Sequence, residues 1–159
     1  MRINVMKSFL ILTAIVCLTS TSAIAQIGNV GIRAGYTDDD PKQFHAGVHF
    51  VTKPFLSVLT FRPNLEVGVG IGGKLYAGNL EMAVKYVDYS PTWWGFVGGG
   101  PAVNVFRMDE DSLVKTGTRV GINFFIGVEN ASGFFMESKV GIRESPTYKA
   151  TVGYTFGRD

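Results

Sequence analysis

From residue 28 onward the chain alternates apolar and polar positions with a period of two, which is the mark of strands that show one face to each of two environments. Residues 28 to 36 set Val30, Ile32, Ala34 and Tyr36 against Asn29, Gly31, Arg33 and Gly35. Residues 44 to 51 set Phe44, Ala46, Val48 and Phe50 against His45, Gly47 and His49. A longer third segment places Leu59, Phe61, Leu65, Val67, Val69 and Ile71 opposite Thr60, Arg62, Asn64, Glu66, Gly68 and Gly70; Pro63 donates no ladder hydrogen bond and fits only near a strand end or bulge. The fourth, 80 to 87, turns Leu80, Met82, Val84 and Tyr86 away from Glu81, Ala83 and Lys85. The sixth, 118 to 128, separates Val120, Ile122, Phe124 and Ile126 from Arg119, Gly121, Asn123, Phe125 and Gly127. In the seventh, 134 to 142, Phe134, Met136, Val140 and Ile142 oppose Phe135, Glu137, Lys139 and Gly141, and the eighth sets Ala150, Val152, Tyr154 and Phe156 against Lys149, Thr151, Gly153 and Thr155.

The fifth segment, WWGFVGGGPAVNVFRM, does not keep one phase. Trp94 and Phe96 imply one face and Val103 and Val105 the other, so a bulge or twist near Gly98 to Gly100 is expected to reset the register. Turn-rich pieces separate the segments: TDDDPKQ, YAGN, DYSPT, DEDS, ENASG and RESPT.

Two architectures accommodate eight such strands, a soluble ligand-binding barrel of the lipocalin kind and a small transmembrane barrel. The glycines separate them, because Gly31, Gly35, Gly47, Gly68, Gly121, Gly127, Gly141 and Gly153 all fall on the polar face. Facing bulk water they would weaken every strand for no gain; lining a narrow lumen they make room for long side chains. Phe50, Phe61, Tyr86, Trp94, Phe134 and Phe156 collect near one rim of the apolar face, as a girdle at a lipid boundary would. The expectation is an all-β, eight-stranded, antiparallel, up-and-down transmembrane β-barrel.

The N-terminus supplies a route to such a membrane. Arg2 and Lys7 precede an apolar run from Phe9 to Leu18, and Ala23-Ile24-Ala25 has the small residues of a cleavage site, so residues 1–25 read as a secretory signal and 26–159 as one barrel domain. Loss of that signal removes Cys17, the one cysteine, and with it any disulfide, thiol or cysteine-metal chemistry. It also leaves 13 basic and 13 acidic residues, a balance that gives nucleic acid no foothold.

With these features in place, NVGIRAGY, FRPNLEVGVG, FVGGGPAVNVF and the terminal YKATVGYTF resemble the small outer-membrane β-barrel proteins of Gram-negative bacteria. The resemblance implies residence in the cell outer membrane, contact with outer-membrane lipid and lipopolysaccharide, and insertion by the outer-membrane assembly machinery, which in that family recognises a last strand ending in aromatics, here Tyr154 and Phe156. A monomer with a structural or interaction role is expected. The alternatives are a lipid-modifying barrel enzyme and a soluble exported lipocalin-like barrel.

Motifs that could carry chemistry are sparse. GVGIGG at 68 to 73 matches a dinucleotide-binding pattern, but no helix follows to hold a pyrophosphate, since 74 to 79 read as a turn. His45 and His49, four apart on a strand, are separated by about 13 Å, too far to share one ion. Acyl-chain hydrolysis needs a serine beside a base, and none lies near them. The acidic clusters Asp38 to Asp40 and Asp109 to Asp111 read as solvated loop tips. No catalytic residue, cofactor or metal is therefore assigned.

What remains is a lumen network of Arg33, His45, His49, Arg62, Glu66, Glu81, Lys85, Arg119, Glu137, Lys139 and Lys149, in which a hairpin around residues 52 to 58 would set His45 opposite Glu66 and His49 opposite Arg62. Its six Lys and Arg side chains outnumber its three carboxylates, so some cations must reach the rims or hold anions. Ion pairs across the axis are expected to fill the tube, because eight strands enclose a space only about as wide as its side chains.

Overall fold

A computed structural model describes residues 28–38, 42–55, 58–70, 73–110 and 113–157, with the side chains of 108–110 and 113–115 excluded. The expected signal, Asp39, Asp40, Ser57, Ile71 and the side chains of Asp109 to Asp111 lie outside this set. The strands are β1 (Gly28–Thr37), β2 (Gln43–Thr52), β3 (Leu59–Phe61), β4 (Asn64–Gly70), β5 (Gly73–Asn79), β6 (Met82–Ser90), β7 (Trp93–Glu110), β8 (Leu113–Asn130), β9 (Phe134–Arg143) and β10 (Tyr148–Thr155).

These ten strands make eight staves. β3 and β4 are one stave interrupted at Arg62-Pro63, β5 and β6 another interrupted at Leu80-Glu81, and the two interruptions meet, with Arg62 N–H donating to Glu81 O at 2.7 Å. Pro63 sits at the strand end that its missing donor requires. Every stave pairs antiparallel with its neighbours in sequence, and β1 with β10 closes the barrel. Followed round the barrel, the register runs from Thr116 through Arg107, Lys74, Val69, Phe44, Tyr36, Ala150 and Ser138 back to β8 at Ile126, a stagger of ten residues. Such a stagger tilts the strands by roughly 35–45° to the axis.

Two sequence expectations give way. Residues 73–79 are strand β5, not a turn, because Leu75, Ala77 and Asn79 continue the inward phase of Glu81 and Ala83. Nor does β7 reset its phase: its pairing with β8 runs unbroken from Trp93 opposite Asn130 to Glu110 opposite Leu113. Phe96 is an interior residue and Trp94 shares its face, while Val97 and Val103 point outward throughout. The irregularity is on the partner β6, where register shifts occur between Lys85 and Val87 and again between Asp88 and Ser90. Trp94 accordingly leaves the expected outer girdle, with the Lys85 ammonium 4.9 Å from its ring centre.

The two faces of the wall invert the usual protein. In β10, Val152 is 47% exposed while adjacent Thr151 is 2% exposed, and the same contrast recurs between Val67 and Glu66. Val30, Val48, Val84, Phe124, Ile126 and Val140 are likewise exposed, a continuous apolar exterior that only lipid can satisfy. Aromatic pairs mark both margins. Tyr154 and Phe156 (5.3 Å between ring centres) and Trp93 and Phe134 (6.4 Å) lie toward the end that carries both chain ends, and Tyr36 and Phe44 (5.3 Å) toward the other.

Candidate functional site

Inside the wall, five glycines are each matched with a ring. The directly opposed pairs are His49 with Gly31, His45 with Gly35, Phe125 with Gly98, Phe96 with Gly127 and Phe135 with Gly153. A Cβ on any of these glycines would come within 2.3–2.8 Å of the partner ring. The space the sequence pattern anticipated is real: of the eight glycines expected there, rings cover Gly31, Gly35, Gly127 and Gly153, while Glu66 lies over Gly47, Gln43 over Gly68 and Ser145 over Gly121 and Gly141.

The histidines use this arrangement to reach across a strand. His45 lies over Gly35 of β1 and hydrogen-bonds the Thr151 hydroxyl of β10 at 3.1 Å, with Thr37 at 3.3 Å on its other ring nitrogen. His49 lies over Gly31 and bonds the Thr155 hydroxyl at 2.9 Å, with its ring edge-on to Phe135. The four-residue spacing therefore repeats in three strands, as Gly31/Gly35, His45/His49 and Thr151/Thr155. The expected register of His45 against Glu66 and His49 against Arg62 is corrected: His45 faces Gly68 and His49 faces Asn64, because Pro63 ends the ladder and sets the pairing two residues further on.

A search for serine alone missed the hydroxyls that do meet the histidines. Thr151 and Thr155 are 2% and 0% exposed, so these base–hydroxyl pairs have no approach for a substrate. They join the wall together.

The charges form one alternating chain. Lys149 Nζ donates to Glu66, whose other oxygen accepts from Arg33 Nη1 at 3.3 Å; Arg33 Nη2 donates to Glu137 at 2.8 Å; Lys139 Nζ lies 3.6 Å from Glu137 and donates to Glu81 at 2.6 Å. Glu81 then accepts from Asn64 at 2.8 Å and Asn123 at 3.3 Å, and Asn79 links those two amides at 2.6 and 2.8 Å. Separate from this chain, Arg62 lies 3.7 Å from Glu129 and 4.4 Å from the Phe96 ring centre. All these ionic side chains are buried. In so dry a setting each charge requires its opposite.

Of the eleven residues expected in the interior, nine are there. Lys85 and Arg119 are corrected to the rims: Lys85 pairs with Asp88 at 2.5 Å and is 45% exposed, and Arg119 pairs with Glu144 at 3.4 Å and is 53% exposed. Both keep the inward phase, but at heights where the opposite wall has ended. Glu129 lies one residue beyond the 118–128 stave that the alternation predicts, on the same inward phase. Asn79 was hidden in the supposed YAGN turn. With these changes the buried ionic groups among the described residues balance, Arg33, Arg62, Lys139 and Lys149 against Glu66, Glu81, Glu129 and Glu137. The cation excess read from the sequence is gone.

No family model matches this chain, and no curated protein matches it significantly. Solved structures do. The N-terminal β-barrel domain of Pseudomonas aeruginosa OprF superposes with a TM-score of 0.57 at 15% identity, covering 81% of this chain and 99% of that one. The fold is that of a small outer-membrane barrel. Neisserial surface protein A, NspA, gives 0.55 at 13% identity, covering 80% of this chain and 91% of that one. At such identities the likeness speaks for the fold, and the lipid-facing exterior is the independent physical reason to read it as membrane-spanning.

Proposed function

We propose that this protein is a monomeric barrel of the cell outer membrane, with both chain ends on the periplasmic side, whose role is structural or interactive and not catalytic. It reaches that membrane through a signal cleaved before Gln26, and Tyr154 of the last strand with Phe156 just beyond it presents the chain to the assembly machinery. Its standing partners are outer-membrane lipid and lipopolysaccharide. The observation that carries this reading is the inverted wall, apolar outside and ionic inside. Cell fractionation with heat-modifiable gel migration tests it: a folded barrel in the membrane fraction is expected, and a soluble folded species would overturn it.

The interior is a plug. The chain from Lys149 to Glu81 crosses between β10, β4, β1, β9 and the junction of β5 and β6, so five of the eight staves are tied to one another by buried ion pairs. Planar bilayers containing the purified protein should show little steady current, with Glu66→Ala or Glu137→Ala raising the frequency of openings. Large, stable conductance of the wild-type monomer would favour a solute channel instead.

A further inference from the structure

Lys74 of β5 and Arg107 of β7 are directly opposed in register, so their side chains leave the wall on the same outward face. Both are exposed, and neither has an ion-pair partner among the described residues. Two cations toward the same end of the barrel behave otherwise: Lys42 holds Asp38 and Arg119 holds Glu144. Like charges directly opposite one another weaken a strand pair, so this juxtaposition works against the wall unless something anionic sits between them. Thr116, opposite Arg107 on β8, is exposed on the same row and adds a hydroxyl donor.

The surroundings say what kind of anion fits. One outward position toward the middle of the barrel lie Tyr76 and Val105, again directly opposed, and Tyr76 is exposed. A ligand held by Lys74 and Arg107 would therefore rest its next few atoms on an aromatic and aliphatic wall. That is the geometry of an amphiphile at a membrane boundary, where tyrosine marks the headgroup level. Arginine offers a planar fork to phosphate oxygens and lysine a point charge, a combination suited to a phosphate monoester.

We propose that Lys74 and Arg107, with Thr116, form a binding site on the outer wall for the phosphate of a lipid headgroup in the leaflet opposite the chain ends. The proposal rests on the outer-membrane reading, in which that leaflet supplies the phosphorylated glucosamine of lipopolysaccharide. Lipid tails pass down the wall beside Tyr76 and Val105, and the phosphate neutralises the cation pair. Free inorganic phosphate lacks the apolar part and would be held far less well.

The test uses the folded full-length barrel in bilayer nanodiscs doped with bisphosphorylated lipid A, or with lipid A stripped of phosphate, and measures the lipid that remains with the protein after exchange. Wild type should retain the phosphorylated lipid about tenfold or more over the dephosphorylated one. Lys74→Gln with Arg107→Gln should abolish that preference, Lys42→Gln should leave it intact, and added inorganic phosphate should fail to displace the lipid. Equal retention of both lipids by wild type, an undiminished preference in the double variant, or displacement by inorganic phosphate would each overturn the site. Heat-modifiable migration of the same samples separates the two readings: a barrel inserted and folded but indifferent to phosphate refutes this site alone, whereas a chain that never enters the bilayer refutes both.

Discussion

The two faces of one strand obey opposite rules in this protein. Along β9, Met136 and Val140 meet the exterior while Glu137 and Lys139 between them are sealed inside, each bonded to a charge from another stave. Outside, the requirement is only apolarity, and Val, Ile, Leu, Met and Phe interchange freely along the wall. Inside, the requirement is a particular partner, because each ring needs its glycine and each cation its carboxylate. Between its two margins the exterior therefore tolerates any apolar side chain and rejects charge, and the interior tolerates almost no change at all.

Arg33 tests the interior rule most severely, since it donates to both Glu66 and Glu137. Arg33→Met removes the middle link and leaves two buried carboxylates to share the lysines, a loss of about 3–5 kcal/mol for a broken buried network. Urea unfolding of the barrel in lipid vesicles should show a large drop in the midpoint. A variant that unfolds like wild type would mean that water already reaches these charges.

The exterior rule predicts a slightly smaller loss. Arginine at Val67 or Val152, both outward-facing, should cost about 2–4 kcal/mol near the midplane. The folded fraction on unheated gels should fall accordingly, and unimpaired folding, with cysteines at these positions open to water-soluble thiol reagents, would make the face aqueous.

The sequence carried these two faces unequally. Period-two alternation fixed the outward set almost everywhere, because lipid imposes one simple demand repeated at every second residue. The interior was legible as a composition but not as a set of contacts. Partners come from different staves, and a pairing two residues off, as at His45, exchanges Glu66 for Gly68. The fifth segment misled for a related reason: Phe96, Phe125 and Phe135 are apolar residues of the inner face, where they cover glycines, so sorting by hydrophobicity alone invented a phase change at Gly98. The rims were least legible. Arg119 has the inward phase yet rises past the wall, and only the stagger of ten residues, absent from any local pattern, shows where the wall ends.

Ring-over-glycine packing gives the next effect in size. Gly153→Ala would set a Cβ 2.4 Å from Phe135 Cζ and 2.5 Å from Ile32 O. Overpacking of this kind costs about 1–3 kcal/mol. Adding Phe135→Leu should restore part of the loss by clearing the ring, though not the carbonyl contact, and a double variant no more stable than the sum of the singles would show that the ring is not what fills the space.

The rim pairs mark the floor of the comparison. Arg119 and Glu144 are each 53% exposed, and Arg119→Gln should change stability by only about 0–1 kcal/mol, whereas the buried Lys139–Glu81 pair has the same chemistry at far higher stakes. Lys42 and Asp38, joined at 3.0 Å in solvent, add a dependence on pH whose direction is fixed. The hydrogen bond and charge of Asp38 raise the Lys42 ammonium above its ordinary value of 10.5. A group raised on folding contributes fully below its unfolded pKa and loses that contribution as pH climbs through the folded one. Melting curves of wild type and Lys42→Gln should thus keep a small constant offset from about pH 6 to about pH 9 and converge only in strong alkali. Convergence already near neutrality would mean that another titrating group, and not the Asp38 partner, sets the offset.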